Sequence, residues 1–164
     1  VPGAMDVTLE FNSLSKTYNM AGWRVGMAVG NAAAVDALAK TKTNIDSGIF
    51  RPIQDASVLV LTGDQAWLDE RNGIYRKRRD IILTALREMG IQADKPVASL
   101  YIWARTPAGL SSGQYAARLL DEVGVSVTPG TVFGDRGEGY VRISLGMDTD
   151  RIREAMRRWK KVVL

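Results

Sequence analysis

Ser13-Leu14-Ser15-Lys16-Thr17-Tyr18-Asn19-Met20-Ala21-Gly22-Trp23-Arg24-Val25-Gly26 sets one lysine among hydroxyl side chains, with an arginine eight residues further on. A deprotonated lysine amine forms an imine with an aldehyde, and burial or nearby positive charge frees it to do so. Hydroxyls, backbone N–H groups and a bidentate guanidinium hold a phosphate. Ser13 and Ser15 alternate around Leu14, so in an extended chain they share a face and Lys16 points away from Ser15. Gly22 and Gly26 let the backbone pass close to a ligand. A lone S-x-S-K reads equally as a surface lysine in a polar loop. With G-x-R-x-G following at this spacing, the combination points to an aldehyde that also carries a phosphate, as in pyridoxal 5'-phosphate.

The bulk composition narrows the chemistry further. The 164 residues are 46% hydrophobic and 24% charged, the balance of an ordinary water-soluble globular chain. There is no cysteine and no histidine, which excludes disulfides, thiolate and histidine catalysis and most zinc sites, so no metal is expected. A catalytic base must be Lys, Asp, Glu or Tyr, which adds weight to Lys16. No apolar run is long enough to span a bilayer. The net charge of +4 is small, and its densest cluster, Arg76-Lys77-Arg78-Arg79, lies in a helical pattern with Asp69, Glu70 and Asp80. That is a solvated helix face, so neither nucleic acid nor membrane is expected as a partner. The opening Val1-Pro2-Gly3 reads as an excerpt or a processed chain.

Working outward, Val7 to Phe11 alternates as a strand entering the Ser/Lys segment as a loop, and Trp23 to Val29 suits a buried strand. Asn31 can cap a helix over Ala32 to Lys42, and Pro52 can open another to about Leu61. Thr62-Gly63-Asp64 is a break. Beyond it, Asp64 caps a long helix to Met89, with Trp67, Ile74, Ile81, Ile82, Leu86 and Met89 on one stripe. Ser99 to Ala104, Val125 to Thr128 and Tyr140 to Leu145 read as strands. Ser111 or Ser112 caps a helix to Val123, and Asp148 or Thr149 caps one to Val162. The expected class is α/β, with one domain over 1–63 and a second over 64–164.

Gly139-Tyr140-Val141-Arg142-Ile143-Ser144-Leu145 puts an arginine inside an apolar alternating strand. Alternation leaves two readings open: an outward-facing arginine, or a buried one that needs an anionic partner.

Together these stretches resemble the class I/II aminotransferases, the fold-type I pyridoxal-phosphate enzymes, and within them the LL-diaminopimelate and aspartate aminotransferase branch. The resemblance runs along the whole chain but covers only the C-terminal part of the family. It implies the end of the large cofactor-binding domain followed by the small α/β domain. Lys16 matches the lysine that carries the cofactor and moves the proton at the substrate Cα. Ser13 and Arg24 match the serine and arginine on the cofactor phosphate, and Ser15 matches a neighbouring cofactor position. Arg142 matches the arginine on the substrate α-carboxylate. Gly130 and Phe133 lie in a loop resembling the one that flanks the substrate pocket, and Arg51 lies in a region that approaches the partner subunit's site.

The implied reaction is amino-group transfer between an amino acid and a 2-oxo acid, by a cytoplasmic homodimer. The aspartate that keeps the ring nitrogen protonated in this family has no counterpart here, so these residues alone are expected to be feeble catalysts. The same fold also serves Cβ (C–S) lyases, and ligand-sensing domains of transcription regulators.

Overall fold

Two strands, β1 (Leu9–Ser13) and β2 (Gly26–Gly30), bracket the quoted segment in the computed structural model, which describes residues 1–162. They pair antiparallel, from Leu9 opposite Gly30 to Ser13 opposite Gly26. The chain divides into two units, Val1–Asp69 and Glu70–Leu164.

In the first unit, a one-turn helix α1 (Ala4–Val7) precedes β1, and the Thr8 hydroxyl donates back to the Ala4 carbonyl at 2.7 Å. That turn takes up Val7, so the strand runs two residues later than its alternation suggests. A second one-turn helix, α2 (Leu14–Thr17), replaces the expected loop. A 3-10 turn over Ala21–Trp23 then delays β2 to Gly26. Helices α3 (Ala32–Thr43) and α4 (Arg51–Thr62) follow. Asn31 caps α3 as expected, its side chain accepting the Ala34 N–H at 3.0 Å, and Pro52 lies in the first turn of α4.

The core of this unit is small: Leu14, Met20 and Val25, with Ile49, Ile53 and Val60 packed on them. The expectation of a buried β2 is not met. Val29 is 42% exposed, because among the described residues β1 and β2 form a two-stranded sheet with no further neighbour.

Helix α5 (Ala66–Glu88) leads into the second unit, and the Asp64 carboxylate accepts the Ala66 N–H at 2.9 Å at its start. Only the C-terminal part of its apolar stripe is buried: Ile82 and Leu86 are inside, whereas Ile74 is 47% exposed. Strands β3 (Tyr101–Arg105), β4 (Thr128–Pro129) and β5 (Tyr140–Ser144) form an antiparallel sheet in the order β3-β5-β4. Between them lies α6 (Ser112–Val123), opened by a reciprocal bond pair between Ser111 and Gln114, and α7 (Thr149–Trp159) follows with Asp148 as its cap.

The expected strand over Val125 to Thr128 shrinks to its last residue. The Val125 N–H instead closes α6 onto the Leu119 carbonyl at 3.0 Å, after Gly124 in the left-handed region (φ 65). Likewise α7 stops at Trp159, because turn bonds from Lys161 and Val162 replace the helical ones. Ile102, Ala104, Val141 and Ile143 face a core shared with Leu86, Tyr115, Leu119, Ile152 and Trp159. The Trp159 indole N–H donates to the Tyr115 hydroxyl at 2.8 Å inside it. The strand period then turns Tyr101, Trp103, Tyr140 and Arg142 to the other face.

Candidate active site

The pairing of Ser13 with Gly26 gathers Ser13, Ser15, Lys16 and Arg24 at one end of the β1–β2 ribbon. Ser13 ends the strand and caps α2, its hydroxyl oxygen accepting the Ser15 N–H at 3.2 Å. The turn is anchored by Leu14, which is 2% exposed and whose carbonyl receives the N–H groups of Tyr18 and Met20. Ser15 and Lys16 therefore lie on a helical turn, and the expected alternation of Ser13 and Ser15 along extended chain does not occur. Ser13, Lys16 and Arg24 are exposed, so burial of the lysine is not something these residues supply.

Arg24 holds a left-handed backbone (φ 52), costly for a residue with a Cβ, and donates from its guanidinium to the Ala21 carbonyl at 2.9 Å. That bond uses one of five guanidinium N–H groups and leaves the fork able to take an anion. Gly26 has a role different from the expected approach to a ligand. A Cβ there would lie 2.7 Å from the Asn12 carbonyl oxygen, so the glycine permits close pairing of the two strands. Gly22 has open space beside it.

Arg142 occupies the outward face of β5, opposite Trp103 of β3. Its guanidinium carbon lies 4.1 Å from the Tyr101 ring centre and 4.3 Å from that of Phe133. The side chain is half-buried between two rings and makes no ion pair among the described residues. The anionic partner weighed for a buried arginine is thus replaced by aromatic faces, which cover the plane of the fork and leave its edge for a carboxylate.

Trp103 is 40% exposed and meets Phe133 and Tyr140 edge-on, at 5.5 and 6.2 Å between centroids. With Arg136 and Gly137 these rings line a cavity of about 360 Å³. The signal for Tyr101 and Trp103 is present in the sequence, since Tyr101-Ile102-Trp103-Ala104-Arg105 alternates in register with Tyr140 to Ser144. Arg51 begins α4 and pairs with Asp55 at 2.8 Å.

In the first unit the donors suit pyridoxal 5'-phosphate in part: an amine for the aldehyde, and a hydroxyl and a guanidinium for the phosphate. Residues 3–158 match the family "Aminotransferase class I and II". The LL-diaminopimelate aminotransferase of Nitratidesulfovibrio vulgaris (strain DSM 19637 / Miyazaki F) is 55% identical over 159 residues, 96% of this chain and 41% of that protein.

Among solved structures, an aminotransferase from Staphylococcus aureus superposes with a TM-score of 0.92 at 37% identity, over 98% of this chain and 43% of its own. Apo-BacF from Bacillus subtilis gives 0.92 at 35% identity, over 99% and 42%. The chain belongs to the class I and II aminotransferases, a family of pyridoxal-phosphate enzymes with the fold-type I architecture. It spans about 41% of the length of the first of these relatives and matches their C-terminal part.

Proposed function

We propose that these residues are the C-terminal portion of a cytoplasmic, homodimeric aminotransferase that moves an amino group between an amino acid and a 2-oxo acid. Residues 1–63 would end its cofactor domain, and residues 64–164 would form its small domain. The observation that carries this is the convergence of Ser13, Lys16 and Arg24 at one end of the β1–β2 ribbon, in a chain of this family.

Pyridoxal phosphate, when bound, supplies the electron sink that makes the substrate Cα–H acidic. Ser13 and Arg24 would hold its phosphate through a hydroxyl and a charge-assisted guanidinium contact, with Ser15 on the turn that Ser13 caps. Lys16 Nζ would take the proton from the substrate Cα as a base and, as an acid, deliver it to the carbon that was the cofactor's aldehyde. Arg142 binds the substrate α-carboxylate at the edge of its fork, with Tyr101 and Phe133 keeping the plane from tilting. The identity with LL-diaminopimelate aminotransferases supports LL-diaminopimelate as the amino donor.

The test uses the full-length protein with pyridoxal phosphate. Lys16→Ala should abolish both the absorbance band near the visible edge and transamination of LL-diaminopimelate with 2-oxoglutarate. Arg24→Ala should weaken cofactor binding about 10- to 100-fold. Release of ammonia and a 2-oxo acid without any acceptor would instead establish a lyase.

A further inference from the structure

Glu138 makes three hydrogen bonds at the base of the loop that leads into β5. One carboxylate oxygen accepts the N–H of Ser112 at 2.7 Å and that of Gly139 at 2.9 Å, and the other accepts the Ser112 hydroxyl at 3.0 Å. Ser112 is fully buried and is the first residue of α6, so the carboxylate takes up one N–H group that the helix itself leaves unpaired. The backbone bond from Ser112, then that from Gly139, holds the Glu138 carboxyl below its ordinary range.

The loop is pinched a second time, where a Cβ on Gly130 would sit 1.9 Å from the Gly137 carbonyl oxygen. Between these two closures it carries Phe133, one of the two rings on Arg142. The other ring, Tyr101, belongs to a strand fixed by its ladder with β5. Phe133 has no such anchor: it is 49% exposed, and its neighbour Val132 is 67% exposed, so apolar burial does not hold this wall in place. Beyond its edge contact with the ring of Trp103, what holds it is the base of the loop.

We propose that Glu138 is a positioning residue that straps the loop to the start of α6 and so sets Phe133 against Arg142. The strap fixes the direction in which the guanidinium fork meets a substrate carboxylate. This inference rests on the assignment of Arg142 to that carboxylate.

Steady-state kinetics of the full-length holoenzyme, with 2-oxoglutarate as the varied acceptor, tests it. Glu138→Gln should raise KM about tenfold while kcat stays within about twofold of the parent, because binding geometry is lost and the proton transfer at Lys16 is not. Phe133→Leu added to Glu138→Gln should raise KM no further, since both act through one wall. An unchanged KM in Glu138→Gln, or additive effects of the two substitutions, overturns the strap. If Glu138→Gln does not fold, Ser112→Ala is read instead. It removes one of the three bonds and should raise KM by about two- to threefold, and an unchanged KM there overturns the strap equally. Arg142→Lys separates the two levels. An unchanged KM in that variant overturns the carboxylate assignment itself, whereas a raised KM there with none in Glu138→Gln overturns only the strap.

Discussion

The two units present their arginines in opposite ways. Arg24 stands exposed at a left-handed position on a two-stranded ribbon whose core is Leu14, Met20 and Val25. Arg142 lies between two rings on a three-stranded sheet, backed by a core that extends from Ile82 to Val162. An isolated strand pair is marginal in water, while three strands packed on helices can stand alone. The first unit also leaves Phe11, Phe50 and Leu59 about 70% exposed. Arg142 is therefore set by a real core, and Arg24 only by local turns. A motif can thus be spelled out in full within a segment that has little tertiary support of its own.

The largest expected effect tests that contrast in stability. Trp159→Ala removes a ring that is 1% exposed and strands the Tyr115 hydroxyl it bonds. It should cost about 3–5 kcal/mol, at the upper end for core truncations. Leu14→Ala empties a comparably buried position, but in a small core that can collapse around the gap. Its cost should sit at the low end of such changes, about 2 kcal/mol. Urea unfolding followed by circular dichroism measures both, and equal losses would erase the distinction.

The elements legible in the sequence were those with a local physical signature. Asn31, the pair Ser111-Ser112 and the pair Asp148-Thr149 announce their helices through capping side chains, and the structure caps with Asn31, Ser111 and Asp148. The strand holding Arg142 was readable from its alternation. Illegible were the features decided by competing short-range bonds. The turn of α1 displaces β1, the turn of α2 takes the place of an expected loop at Ser15 and Lys16, and the closing bond of α6 consumes most of an expected strand.

The gathering of Ser13, Lys16 and Arg24 could be guessed from spacing, but it needs the Ser13–Gly26 pairing to become geometry. Alternation marks the face that carries Tyr101, but setting it and Phe133 on Arg142 needed the β3–β5 register and the path of the loop at 130–139, which no local pattern encodes. The Glu138–Ser112 strap joins residues twenty-six apart in sequence and left no trace there.

A smaller effect sharpens the comparison at two serines in the same cap position. Ser111 opens a helix of 12 residues through a reciprocal bond pair with Gln114, and Ser111→Ala should cost about 1 kcal/mol. Ser13 caps a turn of four residues, and Ser13→Ala should cost about 0.5 kcal/mol or less. If the proposed role is right, the ranking inverts for pyridoxal phosphate binding by the full-length protein: Ser13→Ala weakens it and Ser111→Ala does not. Thermal melts and cofactor titration of the two variants measure this, and a common ranking in both assays would mean that Ser13 is only a cap.

The smallest effect is electrostatic and again sets one unit against the other. On α7, hydrogen bonds first from Arg157 and then from Arg158 hold the Glu154 carboxyl down at about 2, from an ordinary 4.5. In the first unit the Asp46 carboxyl is also held low, by the ammonium of Lys42 and then the N–H of Gly48. Both carboxyls are open to solvent, Glu154 partly and Asp46 more so, and the gain in each is screened and modest.

The sign is the same for both. A carboxyl lowered in the folded state stabilises it above the ordinary pKa, and that contribution drains away as the pH falls through the folded value. For Glu154 the window runs from about pH 4.5 down to about 2. Glu154→Gln should flatten the acid side of the stability profile of the second unit across that window, and high salt should flatten it in the parent. Asp46→Asn should give a shallower change in the first unit, because one flexible lysine stands where Glu154 has two planar forks. A steeper change at Asp46 would show that exposure, and not the number of guanidinium partners, governs the pair.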